Sequence, residues 1–334
     1  MTATLRVFRP TGQAAAVAMC VGLLTACGSD APTGPPGVTD PAQAVFVTSD
    51  IPNFWAAFDA GGSTGSATPF QRQYLDRASP GLADFRRARN VTAASLAQMV
   101  RAFPRYFADI RPFTLRLATD ESLQSRMRDG YRRMKGLYPA AVFPPVTFFI
   151  GRFSTGGTTS GNGMLIGLEF FASGPNTPLD ELGQFQRDNV RPLDSLPIII
   201  AHEHVHVLQT RANGIMNRPA KTLLEQALLE GGADFVGELV SGGNINARLR
   251  EYGVPRESAL WAEFRLAMSG TDVSQWLYNQ GSTSTTRPGD LGYFIGYRIV
   301  QAYYNRTADK TAALRAIIEI RDANQFLTQS GYAP

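Results

Sequence analysis

The sequence predicts an α+β domain that is mainly helical, with a small β-sheet or hairpin near its middle. Between residues 51 and 139, one segment after another places apolar side chains at three- and four-residue spacing, which is typical of amphipathic helices. Two runs rich in β-branched and aromatic residues follow, at 144–153 and 163–172. Helical spacing then returns and continues to the C-terminus. We therefore expect helices on both sides of a short β region.

The β region and its surroundings contain several expected boundaries. Breaks in the helices are predicted at Ser79-Pro80-Gly81 and at Arg111-Pro112. The two β runs flank the Gly-, Ser- and Thr-rich segment 154–163, which predicts a hairpin with a long mobile loop. A capped short helix is expected at 176–185. No second linker is visible after Phe46, so residues 46–334 are predicted to form one domain, and a split near residue 140 is the alternative.

The composition is that of an ordinary folded protein, with 44% hydrophobic and 18% charged residues. The formal net charge is +4 over 334 residues, and the sequence contains no basic run and no lysine-rich stripe. This charge distribution gives no support for a nucleic-acid-binding protein.

Residues 1–26 are predicted to be an export signal. Arg6 and Arg9 form a basic start, and the apolar stretch 14–26 is too short for a comfortable membrane span. The segment ends in Leu24-Thr25-Ala26-Cys27, which resembles a bacterial lipobox. The resemblance implies a lipoprotein signal peptide, cleavage before Cys27, and acylation of that residue, with palmitate as one of the acyl groups. A plain signal peptide, or a short anchor with a coincidental cysteine, is the alternative.

The residues after Cys27 fit a protein held at a membrane surface. Residues 28–45 are rich in Gly, Pro, Ser and Thr, and predict a flexible tether. Acyl chains would anchor the protein without a spanning helix, and would place the domain in the periplasm or outside the cell. By resemblance to lipoprotein sorting, a Gram-negative host would send it to the outer membrane, and the outer face of the cytoplasmic membrane is the other destination. Cys20 leaves with the signal and Cys27 is capped, so the mature protein has no thiol for a disulfide or a metal.

All three histidines of the chain lie within five residues. The pentapeptide His202-Glu203-His204-Val205-His206 satisfies the pattern H-E-x-x-H. Because four residues make about one helical turn, His202 and His206 project from one face and can bind one Zn2+, with Glu203 beside the metal. His204 lies about 200° around the helix and is expected to pack or face solvent. A substrate contact is the alternative for His204.

A catalytic zinc site needs a third protein ligand. The sequence offers no other histidine and no usable cysteine, so this ligand must be a carboxylate. Glu230 is the candidate, 24 positions after His206, with Asp234 one turn later to accept the far N–H of a ligand imidazole. Glu225 and Glu238 are rivals for the third position.

The residues around Glu230 and after His206 narrow the class of site. Gly231 and Gly232 suggest a close helix approach or a bend near the metal. The extended pattern H-E-x-x-H-x-x-G-x-x-H fails, because Gln209 and Ala212 replace its glycine and third histidine. The metzincin class is therefore excluded.

H-E-x-x-H followed by E-G-x-A-D resembles the gluzincin pattern, in which two histidines and a glutamate bind zinc. More closely, the blocks "DIPNFWAAFD", "AHEHVHVLQ", "EGGADF" and "GYFIGYRIV", in this order, resemble the predicted zinc-dependent proteases related to gliding-motility lipoproteins. The resemblance covers residues 48–305 and implies a zincin-like metallopeptidase domain, Zn2+ as cofactor, and a peptide or protein substrate.

The chemistry follows from these parts. Zinc polarises the scissile carbonyl and acidifies its water, and Glu203 takes the proton and passes it to the leaving amine. Resemblance to gluzincins implies an oxyanion donor on a later helix, for which Tyr293 and Tyr297 are the candidates and Arg298 a rival. A sheet-edge strand commonly pairs with the substrate in such peptidases, and 163–169 is the candidate by position. An ordinary hairpin is the alternative.

We therefore expect a membrane-tethered zinc metallopeptidase. Two other functions fit the same residues. One is a non-catalytic cell-envelope lipoprotein that keeps the fold as a scaffold for partners, and the other is a zinc hydrolase of a non-peptide amide or ester.

Overall fold

The computed structural model describes residues 35–279 and 287–334. The predicted signal segment, Cys27 and the first part of the predicted tether lie outside the described residues. Within them, the strands are β1 (Phe46–Val47), β2 (Val146–Phe149), β3 (Gly157–Ser160) and β4 (Gly163–Gly167). The α-helices are α1 (Asp50–Asp59), α2 (Ala67–Pro69), α3 (Pro80–Ala88), α4 (Ala93–Ala102), α5 (Pro104–Arg116), α6 (Glu121–Leu137), α7 (Gln184–Asn189), α8 (Leu196–Arg211), α9 (Leu223–Ser241), α10 (Arg248–Gly253), α11 (Glu257–Ala267), α12 (Leu291–Arg306), α13 (Lys310–Ile318) and α14 (Ala323–Ser330). The expected mainly helical α+β architecture, with a small sheet before the motif helix, is confirmed.

The four strands form one sheet in the order β1-β2-β4-β3. β2 is parallel to both β1 and β4, whereas β3 is antiparallel to β4. The predicted hairpin of the two β runs was therefore wrong, because β2 and β4 are parallel and residues 154–163 contain β3 instead of only a loop. The candidate edge strand 163–169 was also wrong: β4 is internal and β3 is the edge. The Gly- and Thr-rich sequence hid β3, since its pairing with β4 depends on the backbone rather than on large apolar side chains.

The helices before the sheet lie close to the predicted segments, with an exception at Pro112, and one later helix begins beyond its predicted start. Ser79 caps α3 through a bond from the Leu82 N–H, so the predicted break there is confirmed. Pro112, in contrast, lies inside α5. This proline and Ala108, whose carbonyl loses its usual partner, are both exposed, so water can bond that carbonyl. The short helix expected at 176–185 begins later, as α7.

The predicted tether enters the folded domain before its expected end. The backbone of Val38 exchanges hydrogen bonds with that of Phe143, at N···O distances of 3.1 and 2.7 Å. Asp40 then caps a short 3₁₀ helix, and Ala44 is buried. Residues 35–45 therefore pack on the domain instead of forming a free linker.

Three long helices, α8, α9 and α12, form the part of the core that carries the motif, and α9 lies against both of the others. A Cβ at Gly231 of α9 would lie 2.1 Å from the backbone N of Tyr297 in α12. One at Gly237 would lie 3.2 Å from the backbone N of His202 in α8. Two glycines thus allow α9 to approach its neighbours at backbone distance. Across residues 35–279 and 287–334, no helix combines the length and hydropathy needed to cross a bilayer.

The neighbouring glycines Gly231 and Gly232 have different surroundings. A Cβ at Gly232 would meet nothing closer than 3.6 Å, which is an ordinary contact. The expected close helix approach is therefore made by Gly231, and Gly232 has no such role.

This difference can be measured by alanine substitution. We expect Gly231→Ala to lower the free energy of unfolding by about 1–3 kcal/mol or more, because the new methyl group overlaps the backbone of α12. Gly232→Ala should leave it unchanged or raise it by up to about 1 kcal/mol, because alanine favours the helix. Urea unfolding of the two variants tests this, and equal losses in both would contradict the assigned helix contact.

Candidate metal centre

Helix α8 carries the motif into the core of the domain. Pro197 lies in its first turn, where a missing N–H costs no helical bond. The following isoleucines and valines are largely buried, so the helix has little exposed face. His202, Glu203 and His206 are 6%, 5% and 3% exposed. The motif is therefore held in a nearly dry environment, where polar groups need defined partners.

The second helix, α9, brings Glu230 to the two histidines. The Nε2 atoms of His202 and His206 are 3.2 Å apart, and Glu230 Oε2 lies 3.2 Å from His206 Nε2 and 3.6 Å from His202 Nε2. Ligands placed tetrahedrally at 2.0–2.1 Å from a zinc ion are separated by about 3.3–3.4 Å. The three atoms therefore have the spacing that one zinc ion requires.

The hydrogen bonds on the far side of each imidazole decide which nitrogen faces this point. His202 Nδ1 lies 2.9 Å from Asp234 Oδ1, so it donates to that carboxylate. His206 Nδ1 lies 2.8 Å from Gln209 Oε1, which accepts because the Gln209 amide nitrogen donates to the Leu229 carbonyl. Both Nδ1 atoms therefore carry hydrogens, and both Nε2 lone pairs face Glu230.

Three lone pairs that converge in a buried site need a positive charge among them. The pKa shifts reflect this need. Burial lowers the pKa of His202, but its bonds to Asp234 and Glu230 outweigh that effect and raise it well above the ordinary value. Burial raises the pKa of Glu230, yet the two imidazoles bring it below its ordinary value. A metal ion supplies the same positive charge, and this set of nitrogen and oxygen donors suits zinc.

Further side chains fix the ligands in place. Asn246 donates to Asp234 Oδ2 at 3.0 Å, and the Tyr278 hydroxyl donates to Glu230 Oε1 at 2.7 Å. Because Tyr278 binds Oε1, the other carboxylate oxygen of Glu230, Oε2, faces the imidazoles. The backbone of Tyr278 has a positive φ of 58°. The sequence prediction included Asp234 but missed Gln209, Asn246 and Tyr278. Only Gln209 carried a signal, since it lies one turn after His206.

Glu203 lies beside the three ligand atoms and against the sheet edge. A Cβ added to Gly157 of β3 would lie 2.5 Å from Glu203 Oε1, so a larger residue there would displace the Glu203 carboxylate. Burial raises the pKa of Glu203, and the nearby histidines partly offset this effect. The carboxyl group is thus next to the candidate metal position and to strand β3.

A cleft opens next to His202. Tyr293 lines this cleft, and its ring stacks on that of His202 at a centroid distance of 6.4 Å. Tyr297 does not line it: its ring packs on Phe235 and under Arg250. Of the two tyrosines predicted as oxyanion donors, only Tyr293 lines the cleft.

The other rivals also have partners away from the metal position. Arg298 bonds Glu257 and Gln301. Glu225 caps α9 together with Thr222, and Glu238 pairs with Arg250. Of the three acids considered as the third ligand, only Glu230 meets the histidines.

His204 packs in the core. It lies between Tyr131 and Phe143, and its Nε2 bonds the Val142 carbonyl at 2.7 Å. Burial lowers its pKa to about 4, so the ring is neutral near pH 7. The expectation that it packs, rather than binds the metal, agrees with this environment.

A second buried acid, Glu169, supports the cleft. Its oxygens accept the backbone N–H groups of Gly151 at 2.8 Å and of Phe153 at 3.0 Å. Phe153 has a positive φ of 56°, and the chain then continues to Ser154–Gly156 in the cleft wall. Burial raises the pKa of Glu169 to about 7. This carboxyl group therefore stabilises the bend that leads into β3.

Comparison with known proteins gives one match. Residues 179–320 match the model of the family described as Predicted Zn-dependent protease (DUF2268). The chain is thus similar to predicted zinc-dependent proteases. This confirms the resemblance inferred from the motifs, and the matched segment contains α8, α9 and α12. No curated protein and no solved structure matches the chain.

The third ligand can be tested with two glutamates of α9. Glu230→Gln should abolish stoichiometric zinc binding, a loss beyond the roughly 10- to 100-fold typical of residues that only orient a ligand. Glu238→Gln should retain zinc, because its carboxylate pairs with Arg250. Atomic absorption after dialysis, with circular dichroism to check folding, measures both. Zinc retained by a folded Glu230→Gln protein would exclude Glu230 as a ligand.

Proposed function

We propose that this protein is a zinc metallopeptidase of the bacterial cell envelope with a zincin-like domain. The convergence of His202, His206 and Glu230, with Glu203 beside them and a cleft next to His202, carries the proposal. The match to predicted zinc-dependent proteases supports the same reaction class. The substrate is a peptide or protein.

The three ligands would hold Zn2+, which supplies polarisation of the scissile carbonyl and a lower pKa for a water molecule. Glu203 takes the proton from the attacking water on a carboxylate oxygen and delivers it to the departing amine nitrogen. Tyr293 donates a hydrogen bond to the oxygen that gains negative charge. Burial raises the pKa of Tyr293 well above its ordinary value, so its hydroxyl keeps the proton that this role needs.

Strand β3 gives the substrate backbone a place to bind. It is the edge strand of the sheet, and its Gly157 lies against Glu203. An extended peptide that pairs with β3 would pass directly in front of the general base. This arrangement favours a peptide over a small amide or ester, because an ester has no row of backbone groups to pair with a strand.

A lipid on Cys27 would keep the domain close to the membrane. The Pro35 carbonyl already accepts a bond from Arg211 at the end of α8. The eight residue-to-residue steps from Cys27 to Pro35 can span at most about 29 Å. Substrates would therefore be peptides or proteins near the bilayer, on its periplasmic or extracellular side.

The general base can be tested without loss of the metal. We expect Glu203→Gln to bind zinc normally and to cleave a mixture of quenched fluorescent peptides about 100- to 10,000-fold more slowly than the wild type. Glu121→Gln, at an exposed position in α6, is the matched control and should cleave at the normal rate. A wild type that binds zinc but cleaves no peptide would favour the scaffold function instead.

The anchor can be tested with the two cysteines of the chain. Cys27→Ala should move the protein from the membrane fraction to the soluble fraction and prevent labelling with radioactive palmitate. Cys20→Ala should change neither result, because Cys20 belongs to the removed signal. Membrane fractionation of expressing bacteria measures both variants. Normal lipidation of the Cys27→Ala protein would exclude the proposed anchor.

A further inference from the structure

The wall of the cleft beside His202 is mainly apolar. Phe170 and Phe171, directly after β4, and Ile199, one turn before His202, line it and are almost fully buried. Phe185 and Ile245, both half-buried, extend the same wall. A side chain that enters this cleft from a peptide bound at the metal therefore leaves water for an apolar surface. Burial of a large apolar side chain is favourable there.

The polar end of the cleft contains an arginine that the backbone holds firmly. The N–H of Arg191 donates to the Phe170 carbonyl at 2.7 Å, and the Arg191 carbonyl accepts from the Ser173 N–H at 3.1 Å. Its guanidinium donates to the carbonyls of Asp188 and Val190, at 2.7 and 2.9 Å. Arg191 is thus positioned next to the apolar wall before any substrate arrives.

The charge of Arg191 has no carboxylate partner within ion-pair distance among the described residues. The side chain of nearby Asp188 is engaged by Gln184 at 2.6 Å. Burial lowers the pKa of Arg191 and the positive charge of Arg248 lowers it further, while the negative charge of Asp188 offsets part of this effect. An anion that enters the cleft would therefore stabilise the half-buried, positively charged guanidinium of Arg191.

The nearby carboxylate of Asp290 does not neutralise the positive charge of Arg191. Asp290 also lines the cleft, but its Oδ2 lies 3.7 Å from Arg248 Nη2. Asp290 therefore pairs with Arg248, and among the described residues it is not within ion-pair distance of Arg191. A planar guanidinium matches a carboxylate through two parallel hydrogen bonds, so a carboxylate is the anion that a peptide substrate would supply.

We infer that the cleft selects peptides that carry a large apolar side chain for the Phe170–Phe171 wall and a carboxylate for Arg191. This inference rests on the proposed peptidase function and names its substrate class. The carboxylate comes either from the C-terminus of the peptide or from an acidic side chain, and the peptides in the experiment distinguish these two sources.

The experiment measures binding rather than cleavage. Zinc-loaded Glu203→Gln protein is titrated, by fluorescence anisotropy, with labelled peptides of one parent sequence. The first peptide ends in Phe with a free carboxylate, the second is its C-terminal amide, the third has Ala in place of Phe, and the fourth is an amide with Asp next to Phe.

The first peptide should bind about 10- to 100-fold more tightly than the second, which is the range for a hydrogen-bonded charged group. It should also bind about 10- to 100-fold more tightly than the third. Tight binding of the fourth would identify an acidic side chain as a source of the carboxylate, and weak binding would leave the C-terminus as the source. Adding Arg191→Gln should remove the advantage of the carboxylate, whereas Arg72→Gln, at an exposed position elsewhere, should preserve it.

Equal affinities for the first, second and fourth peptides, or binding of none of the four, would overturn the inference. If the Arg191→Gln variant does not fold, the affinities of the carboxylate and amide peptides for the Glu203→Gln protein test the inference without it. A wild type that cleaves other peptides while this preference is absent would refute the inference and leave the proposed function intact. If the peptides show this binding preference but the wild type cleaves none of them, the inferred selectivity of the cleft stands and the proposed peptidase function is refuted.

Discussion

The backbone-distance packing of α9 is the constraint on which the rest of the site depends. The backbone of α12 packs directly against Gly231, and the backbone of α8 packs directly against Gly237 on another side of α9. The Thr222–Glu225 capping box and Gly242 fix the two ends of the helix. Because α9 is held in this way, Glu230 reaches the histidines of α8. A Cβ at Gly231 would overlap the backbone of α12, and one at Gly237 would press on the backbone of α8, so each would disturb the helix positions that bring the three ligand atoms together.

The buried site stabilises the fold only when it contains a positive charge. Two imidazole lone pairs and a carboxylate oxygen within 3.6 Å of one another would otherwise repel. Asp234 and Gln209 fix the imidazole hydrogens on the outside and so prevent the rings from escaping this arrangement. The same groups that would be costly without a cation are thus preorganised for one, which is a common property of metal sites.

Much of the site could be predicted from the sequence because it depends on local helical geometry. The four-residue spacing placed His202 and His206 on one face, and the same spacing paired Glu230 with Asp234. The four-residue spacing of Tyr293 and Tyr297 could not show which of them faces the metal, since that depends on the rotation of α12 against α9. Tyr278 has no motif around it. The order of the strands depends on contacts between distant segments, so β3 was mistaken for a loop.

X-ray absorption at the zinc edge of the purified protein, loaded with one equivalent of zinc, tests the central claim most directly. The account predicts two imidazole nitrogens at about 2.0–2.1 Å, with oxygen as the remaining ligand and no sulfur. The chain has three histidines, so a His204→Ala variant with an unchanged spectrum would assign the two imidazoles to His202 and His206. A sulfur ligand, or a spectrum with fewer than two imidazoles, would contradict the proposed site.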